Sequence, residues 1–342
     1  MRLKLAIVIL NWNGRKFLEQ FLQNLIAQTP DWAEVVVADN ASTDDSIPFL
    51  QSHFPNVRII QNDKNYGFAQ GYNVALAQLD CDFYCLLNSD IEVAPHWVEP
   101  VIALMESDSR IAAVQPKIRS FHDRAKFEYA GAAGGFIDKY GYPFCRGRVF
   151  NTVEVDEGQY DTAMDVFWAT GAALFVRSDV YRELGGLDDD FFAHMEEIDL
   201  CWRIKNHGYR IVIEPKSVVY HVGGGTLPKE NAFKTFLNFR NNHFLLLKNL
   251  PKRRLFPTIC VRIILDNVAA FSFLLQGHTK DFTAVYKAHF ALLKQYKQFS
   301  AKRKASEAKA FAAYKDVYHG CILVNYHLKR QHYFNGTQFL KK

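Results

Sequence analysis

The chain has 342 residues, 49% of them hydrophobic and 23% charged, with no biased or repetitive segment. That composition excludes a disordered or fibrous protein, and six cysteines scattered along a long chain exclude a disulfide framework or zinc ribbon and read as free cytosolic thiols. The net charge of +5 conceals a division: from Lys229 onward 21 Lys/Arg stand against 5 Asp/Glu, while the first 228 residues carry 20 against 31. An acidic front suits a bound cation, and a basic, aromatic-rich rear suits an anionic surface.

In chain order, Leu5–Leu10 is an apolar run closed by Asn11-Trp-Asn-Gly14. It is too short for a signal segment and reads as a first strand. Arg15–Gln28 has helical spacing through Phe17, Leu18, Phe21, Leu22 and Leu25. Strands are predicted at Val35–Ala38, Val57–Gln61 and Phe83–Leu87, and helices at Ser46–His53 and Ala69–Leu79. This alternation implies a parallel sheet with helices on both faces. Ligands of such sheets lie beyond the carboxyl ends of the strands. Asn11–Asn13, Asp39–Asp44 and Asn88–Asp90 all fall at those ends and are expected to converge on one crevice.

Further on, Val166–Val176 reads as a strand broken at Thr170-Gly171, and Glu196–His207 as a helix ended by Gly208. Ile211–Ile213 and Val218–Val222 read as two short strands. Beyond Gly223-Gly-Gly225, where the glycines imply a close backbone approach or a mobile loop, the pattern is helical with no strand. Arg262–Gln276 is strongly apolar, but its 15 residues include Arg262 and Asp266. It falls short of the ~20 that span a bilayer and reads as a core or interfacial helix.

Several strand-end and helix residues carry chemistry. Asp39 can accept the imide N–H of a uracil or thymine base, or with Ser42 cap the following helix. Asp90, beside Asn88 and Ser89, suits Mn²⁺ or Mg²⁺ bridging a diphosphate, or closes a turn. In Glu196-Glu197-Ile-Asp199-Leu-Cys-Trp-Arg203, helical spacing puts Glu196, Asp199 and Arg203 on one face, with Asp199 and Arg203 able to pair. Glu197 turns instead toward Leu200, Cys201 and Ile204. A carboxylate on an apolar side fits a general base at a pocket edge, although the helix dipole equally favours both glutamates in a first turn. His221 is a candidate metal ligand or a structural histidine.

Taken together and in order, the chain resembles the family 2 glycosyltransferases, especially their bacterial rhamnosyltransferase-like branch, over about residues 3–228. The matching segments begin with Val8-Ile-Leu-Asn-Trp-Asn-Gly14, Val37-Ala-Asp-Asn-Ala-Ser-Thr-Asp44, Asn65-Tyr-Gly-Phe-Ala-Gln-Gly-Tyr-Asn73 and Leu86-Leu-Asn-Ser-Asp-Ile-Glu92. They continue with Trp168-Ala-Thr-Gly-Ala-Ala-Leu174, Gly185-Gly-Leu-Asp-Asp-Asp-Phe-Phe192, Glu196–Arg203 and His221. The resemblance implies a GT-A fold, a Rossmann-like mixed sheet flanked by helices. Its catalytic domain would be residues 1–228, with a nucleotide-sugar-binding part to about 110 and an acceptor part after it, followed by a basic helical region, 229–342. It implies inverting transfer of rhamnose or another hexose, in cell-surface polysaccharide synthesis. The donor would be a nucleotide diphosphate, UDP- or dTDP-linked given Asp39, and the acceptor a hydroxyl of a lipid-linked glycan.

By the same resemblance Asn11, Trp12, Asp39, Asn65, Gly67, Asn73, Asn88, Ser89 and Asp90 would serve the donor. Trp168, Thr170, Gly171 and Asp188 would serve the acceptor, and Asp90 and His221 would hold Mn²⁺ or Mg²⁺. Glu197 would be the base, with Glu196 as its alternative. Asn88 stands where the family has the first acid of its Asp-x-Asp motif, and Glu197 where it has an aspartate. These departures keep open a nucleotide-sugar-binding relative that has lost turnover.

The basic clusters Arg240-Asn-Asn-His243, Lys252-Arg-Arg254 and Lys302-Arg-Lys304 lie among aromatics. They are expected to dock the protein peripherally on the anionic cytoplasmic face of the inner membrane, or to form a solvated bundle serving a homodimer. No nucleic-acid-binding motif is present and the charge is dispersed among apolar helices, which excludes nucleic acid as a partner.

Overall fold

Leu5–Ile9 are buried on both faces, and an apolar run of this kind suits the centre of a covered sheet. In the computed structural model it forms the heart of β1 (Leu3–Asn11). The structure describes residues 3–223, 231–303 and 314–334, Leu3 by its backbone alone. Gly224, Gly225, Lys229 and Lys304, singled out from the sequence, lie outside the described residues. β2 (Ala33–Asp39), β3 (Arg58–Gln61) and β4 (Cys81–Leu87) join β1 in parallel in the order β4-β1-β2-β3. The connections are α1 (Arg15–Ala27), α2 (Ser46–His53) and α3 (Gly67–Leu76). α1 buries Leu18, Phe21, Leu22 and Leu25, the stripe its spacing predicts.

Past β4 the sheet changes direction. β5 (Ile91–Val93) and α4 (Glu99–Ser107) lead to β6 (Ile111–Ser120). A small second sheet follows, built from β7 (Gly135–Asp138), β8 (Pro143–Cys145), β9 (Arg148–Val149) and β10 (Thr152–Val153). After β11 (Met164–Asp165), β12 (Ala173–Arg177) inserts antiparallel between β4 and β6. α5 (Ser178–Glu183) and α6 (Glu196–Asn206) precede β13 (Arg210–His221), which runs parallel to β6 and takes β5 antiparallel on its far end. The result is a mixed sheet of nine strands among the described residues, flanked by helices, as the GT-A resemblance implies; the parallel half read from the strand–helix alternation is β4-β1-β2-β3, and β12 adds the antiparallel part.

Two strand expectations change. Ile211–Ile213 and Val218–Val222 are one strand, whose register shifts between Glu214 and Val218. Pro215, which has no N–H for a ladder, explains why the pattern looked interrupted. Val166–Val176 pairs as a strand only from Ala173 onward. Before that, Thr170 donates its N–H to Gln115 Oε1 instead of a neighbouring strand.

The C-terminal region contributes α7 (Ala232–Asn249), α8 (Lys252–Leu275) and α9 (Thr279–Ala301). A strand not expected there, β14 (Val317–Tyr318), then extends the small sheet in parallel with β7, anchored where Ile322 N donates to Asp138 Oδ2 at 2.9 Å. The apolar stretch read as 15 residues belongs to the 24-residue α8, the one helix among the described residues long and apolar enough to cross a membrane by length and composition. Its buried residues are Thr258, Arg262, Asp266 and Ala270, one per turn along a single stripe. Phe256, Ile264, Val268, Phe271 and Leu275 are exposed. This inverted polarity overturns the core-helix reading, because a core helix buries its apolar side.

Candidate active site

The carboxyl ends of β1, β2 and β4 bring the three polar clusters together. Asn11 Nδ2 donates to Asp39 Oδ1 at 3.0 Å and to Ser42 Oγ at 3.2 Å. Ser42 returns its N–H to Asp39 Oδ2 at 2.9 Å and its hydroxyl to Oδ1 at 2.6 Å. Neither residue caps α2, so the buried Asp39 is held in place by its turn. Trp12, next in the chain to Asn11, is 47% exposed. Ser89 Oγ faces Gly14, where a side-chain carbon would come within 2.3 Å of Asn11 Oδ1. That oxygen is buried with no hydrogen-bond partner, and such a group at a crevice awaits a donor.

Asn40, not singled out from the sequence, organises the next turn. Its amide donates to Asn65 Oδ1 and to the Gly67 carbonyl, both at 2.9 Å, and its oxygen accepts from Asn62 and Tyr66 N, both at 3.1 Å. Gly67 has φ +74°, and a methyl there would lie 2.6 Å from the Phe192 ring. Asn65 and Gly67 therefore build the wall that meets Phe192. Asn73, expected to serve the donor, gives its polar atoms to other parts of the protein. Its amide donates to the Leu187 carbonyl and to Asp189 Oδ1, and its oxygen accepts from Tyr181 Oη and Leu187 N. Its polar atoms are engaged in fastening α3 to the 185–189 loop.

The antiparallel pairing of β5 with β13 sets His221 opposite Ile91, beside Asp90. His221 Nε2 is 3.2 Å from Asp90 Oδ1, and Nδ1 is 3.1 Å from Glu128 Oε2. Asn88 Nδ2 lies 3.5 Å from the same Nε2. Burial alone would lower the imidazole, but the two carboxylates raise it to about 10. Burial would raise Asp90 and Glu128, and the cationic ring instead holds both below the ordinary carboxyl range. A carboxylate and an imidazole side by side, with a second carboxylate behind the ring, fit a divalent cation: His221 could exchange its Nε2 proton for the ion, with the Glu128 charge beside Nδ1. Glu128 carries no sequence signal, because only β13 brings it to His221.

Asn88 N donates to the Ala172 carbonyl at 2.9 Å, joining this pair to the Gly171 turn. A methyl on Gly171 would lie 3.3 Å from Phe68 and 3.6 Å from Cβ of Glu197. Thr170 is buried, and Trp168 is buried with its indole N–H on the Phe136 carbonyl at 2.9 Å. Both support the wall from behind, and Gly171 makes the approach to Glu197. Glu196 is buried and Glu197 half-buried, and one oxygen of each has no partner. Desolvation raises both carboxyls, and the Glu197 charge raises Glu196 further. A carboxyl raised toward neutrality at a crevice is suited to proton transfer.

The turn leading into these glutamates is strained: Phe192, His194 and Met195 all have φ near +70°, a region costly for residues other than glycine. Asn241 of α7 holds it, donating to the carbonyls of Phe191, Ala193 and His194 at 3.0, 2.8 and 2.7 Å. Arg240 Nη2 adds a bond to the Phe191 carbonyl at 3.0 Å. Arg240 and Asn241 thus face the active-site loop, while Asn242 and His243 turn toward α8, correcting the segment's expected place on a membrane-facing surface. Its signal was two asparagines within a long helix, where they are poor helix formers without partners. Lys248, also on α7, bridges Asp188 and Asp199 at 2.7 Å each, and Lys302 pairs with Asp188 and Asp190. Asp188, expected to contact acceptor, is therefore neutralised by C-terminal lysines. Asp199 and Arg203 pair at 2.8 Å, as their spacing predicts.

Residues 6–168 match the profile of glycosyl transferase family 2. The chain is 27% identical over 232 residues, 64% of its length and 75% of the other's, to N-acetylglucosaminyl-diphospho-decaprenol L-rhamnosyltransferase of Mycobacterium tuberculosis. It is 25% identical over 228 residues, 63% of its length and 82% of the other's, to rhamnosyltransferase WbbL of Escherichia coli. Among solved structures it resembles GalNAc-T7 with UDP, GalNAc and Mn²⁺, with a TM-score of 0.57 and 17% identity over 73% of this chain. It spans about half of that protein, 49%, and this likeness bears on the fold alone.

Proposed function

We propose that this chain, whose residues 6–168 match the profile of glycosyl transferase family 2, transfers rhamnose or another hexose, with inversion, from a UDP- or dTDP-linked donor to a hydroxyl of a lipid-linked glycan. The observation that carries the reading is the pair Glu196–Glu197, desolvated and with unpartnered carboxylate oxygens, with Glu197 against the Gly171 turn to which Asn88 N is bonded through the Ala172 carbonyl. Glu197 takes the acceptor proton, and the oxygen so freed attacks the anomeric carbon as the nucleotide diphosphate leaves from the opposite face. No glycosyl-enzyme intermediate is needed. Asp39 and Trp12 hold the base, and the Gly171 turn keeps the acceptor hydroxyl against Glu197. Asp90 and His221 would hold Mn²⁺ or Mg²⁺, which would supply positive charge to offset that of the diphosphate.

The acceptor's lipid would reach the crevice from the cytoplasmic face of the membrane. The exposed apolar side of α8 and the exposed Lys252 and Arg253 at its start favour a helix lying in the interface over an anionic leaflet. Arg262 and Asp266 midway along it face the protein, which leaves the apolar side free to lie on the membrane.

The test is transfer from UDP-, dTDP- and GDP-sugars with Mn²⁺ and with EDTA, preceded by a thermal-shift screen of the same donors. Donor binding without transfer to any hydroxyl acceptor would leave a binding relative and overturn the enzymatic reading. Recovery in the soluble fraction irrespective of salt would refute docking.

A further inference from the structure

Three polar side chains unused by the proposed reaction meet between the C-terminal helices: His243 of α7, Asp266 of α8 and His289 of α9. His243 and Asp266 are wholly buried, and His289 keeps 16% of its side chain exposed. Their ligating atoms lie within 4.8 Å of one another. Nε2 of His243 is 2.9 Å and Nε2 of His289 3.5 Å from one and the same oxygen, Oδ2 of Asp266.

Such distances invite a reading as hydrogen bonds, but the directions do not allow it: all three atoms are buried without a hydrogen-bond partner. They converge without bonding one another. Ligand atoms on a tetrahedral zinc, each about 2 Å from the ion, stand roughly 3 to 3.5 Å apart. The two imidazoles also meet edge to face, with centroids 5.5 Å apart and planes at 64°.

The far side of the carboxylate is organised for this. Asp266 Oδ1 accepts from Tyr142 Oη at 3.2 Å and from Arg262 Nη2 at 3.3 Å. Arg262 is itself fixed by the Tyr140 carbonyl and Asn242 Oδ1 and lies over the Tyr142 ring. Outer partners of this kind hold a ligating oxygen in orientation.

We propose that His243, Asp266 and His289 bind zinc, or a divalent ion of the same borderline class, as a clip joining α7, α8 and α9. Two imidazoles and one carboxylate suit such an ion rather than Ca²⁺ or Mg²⁺. A water on the side where His289 is exposed completes the set. The clip ties the helix carrying Asn241 to the inverted helix α8 through that helix's polar stripe.

Because Asp90 and His221 form a separate candidate cation site, zinc is counted in the full-length protein with its native sequence and with Asp90→Asn. Each is dialysed with Zn²⁺, freed of excess and measured by inductively coupled plasma mass spectrometry. Zinc is expected in both and absent from His289→Ala made in the Asp90→Asn background. Co²⁺ loading of the Asp90→Asn protein should give intense tetrahedral d–d bands that His289→Ala lacks. No zinc and no such bands in the Asp90→Asn protein overturn the clip, as does unchanged zinc in His289→Ala. Should His289→Ala fail to fold, the cobalt spectrum of the Asp90→Asn protein decides alone. The glycosyl-transfer reading stands or falls on other measurements.

Discussion

The α/β unit and the C-terminal helix α8 bury opposite kinds of residue. In the sheet, Leu5–Ile9, Val35–Ala38 and Phe83–Leu87 are withdrawn from water, and polar groups collect at the strand ends. In α8, Thr258, Arg262 and Asp266 turn inward and Phe256, Ile264, Val268 and Leu275 outward. Water enforces the first arrangement. The second is favoured only where its outer surface meets something less polar than water. Similar hydropathy thus serves two purposes, and which face of the helix is polar tells them apart. α7 stands between them: it grips the Glu196 turn through Asn241 and reaches α8 through Asn242 and His243.

If the α/β unit holds the chemistry, its carboxylates should dominate activity. Glu197→Gln is expected to lower turnover about 10³-fold, within the range of a lost general base, while donor affinity measured calorimetrically is kept. Near-normal turnover would reject Glu197 as the base. His221→Ala should follow, with activity no longer restored by Mn²⁺ after EDTA treatment. Because the cation must displace a proton held up to about 10 on His221, Mn²⁺ affinity of the native protein should rise with pH, by up to about tenfold per unit between roughly pH 6 and 8. A flat dependence would place the ion elsewhere.

The link between the regions predicts a smaller effect. Asn241→Ala removes three bonds from the strained turn before Glu196. It should slow turnover on the order of tenfold by misplacing the base and destabilise the fold by about 1–3 kcal/mol. A loss of stability with turnover unchanged would make Asn241 a purely structural tie.

A pH profile separates the two glutamates. Glu197 acts ionised and its carboxyl is raised, so kcat/KM should fall as pH drops through a value above the ordinary carboxyl range. Glu196→Gln should leave that limb in place, because Glu196 is still protonated when Glu197 ionises; abolition of turnover would instead make Glu196 the base. The linkage sign follows from the same shifts. Both raised groups hold more protons folded than unfolded, so stability falls as pH rises from the ordinary to the raised value. Glu196→Gln should therefore raise Tm more at about pH 8 than at about pH 4, as thermal unfolding at the two pH values would measure. Smallest of all, Val268→Glu or Leu275→Glu on the exposed face of α8 should change stability by no more than about 0.5 kcal/mol. The same changes should reduce sedimentation with anionic vesicles, and unchanged sedimentation would break the proposed contrast between the regions.

Much of the α/β unit was legible in the sequence because its signals are local. Apolar runs of strand length ending in polar turns specify β1, β2 and β4, and sheet geometry then requires Asn11, Asp39 and Asn88–Asp90 to meet. Helical spacing likewise sets Asp199 against Arg203 and turns Glu197 toward apolar neighbours. What the sequence left open depends on distant segments. The antiparallel insertion of β12 needs a partner strand some 90 residues earlier, and no periodicity records it. Asn73 and Asp188 carry residue types suited to ligands, yet Tyr181, Leu187, Lys248 and Lys302 claim them first. The sequence by itself determined the strands, their polar ends and the paired glutamates, since neighbouring side chains decide those. Only the tertiary structure decided that Glu128 stands behind His221, that Asn241 holds the Glu196 turn, and that α8 faces its polar stripe inward. Each depends on charges and hydrogen bonds between residues far apart in the chain, which acquire a meaning only once folding has brought them within reach.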